Sequence, residues 1–263
     1  SVRAFLNAKS DKEIIFTKGA TESINLVASS FGRSLKVGDE IVITGLEHHS
    51  NIVPWQMLRN QCGVELKVAP VTDDGDVTLD SISKLLSPKT KLVAVAHVSN
   101  ALGTVLPIKD IAKLAHDAGA RILIDGCQGI VHEDVDVQDM DCDFYAFSGH
   151  KLYGPNGIGV LYGKEDILEE MPPYQGGGEM ISTVTFDHSE WAELPAKFEA
   201  GTPPIVPAVG LGEAIRYVSA FDAASVSAHE KALLAYGTEQ LQAVEGVTLI
   251  GTAERKTAVL SFV

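Results

Sequence analysis

Residues Asp143-Phe144-Tyr145-Ala146-Phe147-Ser148-Gly149-His150-Lys151-Leu152-Tyr153-Gly154-Pro155 run from an aromatic strand through a polar turn to a lysine held just before a Gly-Pro break. Phe144, Tyr145 and Phe147 supply the β-favouring content of a short buried strand. Ser148, Gly149 and His150 end it, so Lys151 leaves the sheet where small-molecule sites form. An ammonium in such a place is costly to desolvate; burial lowers its pKa and makes it a candidate amine nucleophile. By itself the stretch fits an ordinary surface lysine in a Gly/Pro loop better than a catalytic one. The elements upstream reverse that balance.

Immediately upstream, Arg121–Ile124 reads as a strand that ends on Asp125, and Leu92–Ala96 as an almost wholly apolar strand covered on both faces. A helix from about Lys109 to Ala118 joins them. Further back lie strands Glu13–Thr17, Glu40–Thr44 and Glu65–Ala69. Helices alternate with them: Glu22 to about Phe31, one through Trp55 and Leu58, and about Leu79 to Leu86. Downstream, Gly157–Tyr162 is a strand expected to return near Lys151. An irregular stretch with Gly176-Gly177-Gly178 follows, then helices of about Pro207–Phe221 and Ser227–Val244, and strands near Val247–Ile250 and Ala258–Val263. This alternation predicts an α/β fold with a mostly parallel sheet and helices on both faces. Right-handed crossovers then gather the strand C-terminal ends, and the ligand groups, on one edge. The first residues read as the end of a helix and the last as the inside of a strand, so the sequence is expected to be a fragment cut at both ends.

Composition narrows the function classes. The chain has 263 residues, 45% hydrophobic and 21% charged, which is too apolar for disorder. A formal charge of −14 without a Lys/Arg stripe argues against nucleic acid or an anionic membrane as main partner. No apolar run is long enough to span a bilayer, and no signal peptide is recognisable. Cys62, Cys127 and Cys142 are scattered and odd in number, which suits a reducing, cytoplasmic compartment. Glu47-His48-His49 is not expected to be a metal site, because adjacent side chains diverge.

Lys18-Gly19-Ala20-Thr21 turns strand Glu13–Thr17 into a helix N-terminus, a ready anion site from free N–H groups and the helix dipole. Asp125 ends its strand on the ligand edge, with Gln128 three residues on. Each feature alone is weak: an Asp at a strand end is more often a cap, and Thr before a helix an ordinary N-cap. An acid, an amide, a phosphate cradle and a lysine on one edge together suggest pyridoxal phosphate, with the carboxylate holding the pyridine nitrogen protonated.

The sequence resembles class V aminotransferase-like enzymes of pyridoxal phosphate fold type I, and within them cysteine desulfurases of the SUF and CSD group. The matching runs are Thr17 to Leu26, Glu47 to Gln56, His97-Val98-Ser99-Asn100, Asp125-Gly126-Cys127-Gln128, Asp143 to Gly159, and Phe198-Glu199-Ala200-Gly201-Thr202-Pro203. The resemblance spans essentially the whole chain and is most specific at Ser148 to Pro155. It implies that Lys151 is the Schiff-base lysine, Asp125 the pyridinium partner and Gln128 the donor to the phenolic oxygen. It places His48 over the ring, where it helps move protons. Ala20 (through its backbone), Thr21, Ser148 and His150 are implied phosphate contacts, Asn100 a contact to the cofactor or the substrate carboxylate, and Thr202 a contact to the phosphate of the other subunit of a homodimer. Many relatives have two threonines after the glycine; here the first is Ala20, which removes one hydroxyl.

The implied organisation is a large cofactor-binding domain, residues 1–204, and the start of a small α/β domain, residues 205–263. The implied reaction of the complete protein converts L-cysteine to L-alanine and passes the sulfur to an enzyme cysteine as a persulfide, supplying a sulfur-acceptor protein and iron–sulfur cluster assembly. Selenocysteine lyase, with L-selenocysteine as substrate, or another class V lyase, aminotransferase or epimerase is the alternative enzyme. A cofactor-binding or docking fragment without turnover is the non-enzyme alternative. Cys127 lies between Asp125 and Gln128, where a packed, inert cysteine is expected rather than a sulfur acceptor.

Overall fold

The apolar runs of the sequence become the inner strands of one sheet in a computed structural model that describes residues 1–263. A short helix α1 (Val2–Phe5) leads to β1 (Ile14–Thr17), α2 (Ala20–Ser30), β2 (Glu40–Thr44), α3 (Val53–Cys62) and β3 (Glu65–Ala69). Then come α4 (Leu79–Ser83), β4 (Thr90–Ala96), α5 (Ile108–Asp117), β5 (Arg121–Asp125), α6 (Gly129–His132), α7 (Val137–Met140) and β6 (Phe144–Ser148). The remainder is β7 (Gly159–Gly163), α8 (Glu165–Glu170), β8 (Ile181–Val184), β9 (Ser189–Trp191), α9 (Ile205–Val218), α10 (Ala223–Gln242), β10 (Leu249–Ile250) and β11 (Ser261–Phe262).

The main sheet has the order β1-β7-β6-β5-β4-β2-β3. All neighbours are parallel except β7, which runs antiparallel to both β1 and β6. Alternation along each strand sorts the core onto two faces. Val93 and Val95 of β4, Ile122 and Ile124 of β5, and Tyr145 and Phe147 of β6 pack on one face with Ile111 of α5 and Leu211 of α9. Leu92, Ala94, Leu123, Phe144 and Ala146 pack on the other, with Ile24 and Val27 of α2 and Trp55 of α3. Helices therefore cover both faces, as the unbroken apolar strands require.

Register brings the strand ends level on the site edge. Ala96 pairs with Asp125, Asp125 with Ala146, Ser148 with Gly159, and Gly159 with Thr17. Gly159 permits the last of these approaches: a Cβ there would fall 2.4 Å from the Cα of Gly19.

Several elements differ from the sequence reading. Helix α2 starts at Ala20, because Gly19 serves as its N-cap, and α4 stops at Ser83. The expected strand Gly157–Tyr162 begins at Gly159, since Gly157 adopts φ +78°. The stretch read as irregular contains the β8–β9 hairpin, with Ile181 paired to Trp191. The two C-terminal strands shrink to the two-residue pair β10–β11. No helix is long and apolar enough to cross a membrane.

Candidate active site

The level strand ends frame a cavity of about 290 Å³, lined by every site residue expected from the sequence except Thr202. One end of it is built from α2. The first N–H groups of a helix have no partner within it, and Ala20 N–H donates to Ser148 Oγ at 2.9 Å. With that bond the Ser148 hydroxyl becomes an acceptor whose own proton is free to donate outward. Thr21 and His150 complete this end. An anion fits here, on free N–H groups, hydroxyls and the positive end of an 11-residue helix. Ala20 is 2% exposed and contributes a methyl, so its share of anion binding is its backbone.

Asp125 forms the floor. It is 5% exposed; Oδ1 accepts from Cys127 N–H at 3.1 Å and Oδ2 from Ser50 Oγ at 3.4 Å. It makes no salt bridge to a lysine or arginine, and burial raises its pKa, opposed first by the Cys127 donors and then by His48. The turn that follows is braced from behind. A Cβ on Gly126 would lie 2.1 Å from the Tyr145 ring, and the Tyr145 hydroxyl is 3.1 Å from His97 Nδ1. Burial, with a lesser push from Arg255, lowers His97 to about 4, so this brace holds a neutral imidazole. Gln128, after the turn, reaches the cavity half-buried.

His48, Asn100 and Lys151 line the cavity as exposed side chains. The desolvated ammonium expected at Lys151 is therefore not found in this chain. The lysine sits in a 3₁₀ turn, Gly149–Leu152, closed by Tyr153 at φ 57° and by Gly154 N–H donating to Gly149 O. His48 Nδ1 lies 2.8 Å from Ser50 Oγ and accepts from Ser50 N–H at 3.2 Å. Ser50 thus connects His48 to Asp125, a role not singled out from the sequence; nor were the walls Ala96 and Val98. Thr202 is exposed and stands outside the cavity.

Cys127 reaches the cavity half-buried, with Sγ 3.8 Å from Ser148 Oγ. Burial, reinforced by Asp125, pushes its thiol up to about 12, which keeps it protonated and poorly nucleophilic. Cys142 is fully buried and raised for the same reason. Cys62 donates to Leu58 O within α3.

The family profile described as aminotransferase class-V matches residues 1–263. The chain belongs to the class-V aminotransferase family. A cysteine desulfurase of Synechococcus elongatus is 55% identical over the whole of this class-V chain, which spans 42% of that relative's length. The crystal structure of cysteine desulfurase CsdA from Escherichia coli superposes with a TM-score of 0.95 at 39% identity, over 99% of this chain and 65% of CsdA. A variant of C-DES with glycine covalently linked to its PLP cofactor superposes with a TM-score of 0.86 at 26% identity, over 99% of this chain and 69% of that one.

Proposed function

We propose that this chain forms the cofactor-binding part of a pyridoxal phosphate-dependent cysteine desulfurase, which converts L-cysteine to L-alanine and transfers the sulfur to a cysteine thiolate as a persulfide. The observation that carries the reading is Asp125, a buried carboxylate without a lysine or arginine against it, on the floor of a cavity whose other end is an anion cradle. A ligand with a protonatable ring nitrogen at one end and a phosphate at the other satisfies both. The likeness to the Synechococcus desulfurase and to CsdA supports the substrate class.

When bound, pyridoxal phosphate supplies an electron sink for carbanion chemistry at the substrate Cα. Asp125 would hold the ring nitrogen protonated by ion pairing, and Gln128 would donate to the phenolic oxygen. Thr21, Ser148, His150 and the Ala20 end of α2 would anchor the phosphate, while Asn100 would orient the cofactor oxygen or the substrate carboxylate. Lys151 would supply the amine for the cofactor's aldehyde, with water as the leaving group, and would carry the proton at the substrate Cα. His48 would serve as a proton carrier beside the substrate. Cys127 stays a thiol, so the sulfur-accepting thiolate is assigned outside this cavity.

The reading extends to a homodimer, in which Thr202 reaches the partner's phosphate. Exposed Ile205, Val206 and Val209, close to it on α9, support a covered surface there. It includes residues 1–204 as the large domain and 205–263 as the start of the small one, a protein sulfur acceptor, delivery to iron–sulfur assembly and a cytoplasmic setting. Three free cysteines suit the last.

The test is an assay of the complete protein with L-cysteine and an added thiol reductant, which frees the persulfide sulfur as sulfide, for alanine and sulfide, beside Asp125→Asn and Lys151→Ala. Alanine and sulfide in equal amounts, reduced at least about 100-fold in both variants, are expected. Turnover that survives Lys151→Ala contradicts the assignment.

A further inference from the structure

Glu47 is a buried carboxyl to which the proposed chemistry gives no task. It precedes His48 and is 8% exposed. Its Oε1 accepts from Thr44 Oγ1 at the end of β2 (2.5 Å) and from Ala96 N–H at the end of β4 (3.1 Å). Its Oε2 accepts from Asn51 Nδ2 (2.6 Å), and Asn51 Oδ1 accepts from Trp55 Nε1 of α3 (3.0 Å). One carboxyl group thus ties two strands and a helix together beside the cavity. Both walls it touches belong to the site: His48 is the next residue, and Ala96 is the register partner of Asp125.

Ala96 also ties Glu47 to Asp125, since it donates to Glu47 and stands in register with Asp125; the Asp125 charge adds a small push on Glu47, and Glu47 makes no ion pair. Burial, opposed by the Thr44, Asn51 and Ala96 donors and reinforced by Asp125, pushes the carboxyl up to about 7. Thr44 Oγ1 serves either state, since a hydroxyl can donate to a carboxylate or accept from a carboxylic acid.

We propose that Glu47 is a positioning residue whose charge state is coupled to that of Asp125. It holds a proton while Asp125 is an unpaired carboxylate, and releases that proton to solvent when a cationic ring nitrogen pairs with Asp125. Ionised Glu47 then grips its three donors through charge-assisted bonds and stiffens the His48 wall around the occupied cavity. The release step rests on the pyridoxal phosphate reading; the coupling of the two carboxyls does not.

Carboxyl carbon NMR of the isotopically labelled chain, titrated with pH, tests both halves. In the cofactor-free chain, Asp125→Asn is expected to lower the Glu47 midpoint by about half a pH unit or more. Glu47→Gln is expected to lower the Asp125 midpoint in return, which a purely structural role would not do. Adding pyridoxal phosphate just below the Glu47 midpoint should move the Glu47 signal to its ionised position in the parent and leave it in place in Asp125→Asn. A Glu47 midpoint indifferent to Asp125→Asn overturns the coupling. If pyridoxal phosphate produces no visible band, the release step falls with the cofactor reading, while the cofactor-free titrations still decide the coupling.

Discussion

Asp125 and Glu47 are two buried carboxyls on one cavity edge, and burial raises both. A group that holds its proton more tightly when folded stabilises the fold below its unfolded pKa, and that stability is lost as pH rises through the folded value. For Glu47 the window runs from 4.5 to about 7, and the loss is about 3 kcal/mol. His97, lowered to about 4, contributes the opposite slope over nearly the same range in parent and variant alike. The Glu47 share is therefore read as a difference: in denaturant unfolding of the cofactor-free chain, the stability of the parent relative to Glu47→Gln should fall between about pH 5 and about pH 8. An unchanged slope in that variant would contradict the burial argument. At the anion end, Ser148→Ala removes a donor and leaves Ala20 N–H without its acceptor. We expect pyridoxal phosphate affinity to drop about tenfold, measured by absorbance titration. Lys151, Asp125 and Ser148 were legible in the sequence because each sits where an apolar strand meets a breaker. Glu47 and Ser50 were not: a carboxyl or hydroxyl in a turn looks the same whether it caps the turn or joins two walls of a cavity.

The elements were legible where breakers bound them. β2, fully buried, and β3, mostly exposed or half-buried, both have the bounds read from the sequence, because Gly38 and Gly45 frame the first and Gly63 and Pro70 the second. The β8–β9 hairpin escaped, since its side chains are mostly exposed and no buried face imposes an alternation. The approach of β7 to the α2 turn was also hidden, because a glycine in a strand does not say what passes beside it. It is nevertheless a sharp constraint on the anion cradle. Gly159→Ala would press a methyl onto Gly19 Cα, costing about 1–3 kcal/mol in urea unfolding and weakening cofactor binding along with it. A variant of parental stability and affinity would mean that the two backbones can separate freely.

Across the whole molecule the sheet divides its polar groups between two edges. The cavity occupies one, and at the other Asp143, with no exposed surface, gathers three basic side chains. His116 Nε2 is at 2.9 Å, Lys164 Nζ at 3.3 Å and Arg121 at 3.6 Å, while Ile122 N–H donates at 2.8 Å. Asp143→Ala strips that cluster of its centre, and we expect a loss of about 3 kcal/mol of stability. The absorbance of the cofactor-loaded chain should not change, because nothing at this edge touches the cavity. The central claim is that Lys151, Asp125 and the α2 turn together make a pyridoxal phosphate site. Its most direct test is the visible absorption of the purified chain after addition of the cofactor, with Lys151→Ala alongside. A yellow band in the parent that resists dialysis and is missing from the variant is the result expected; a parent that stays colourless, or a variant with the same band, would contradict it.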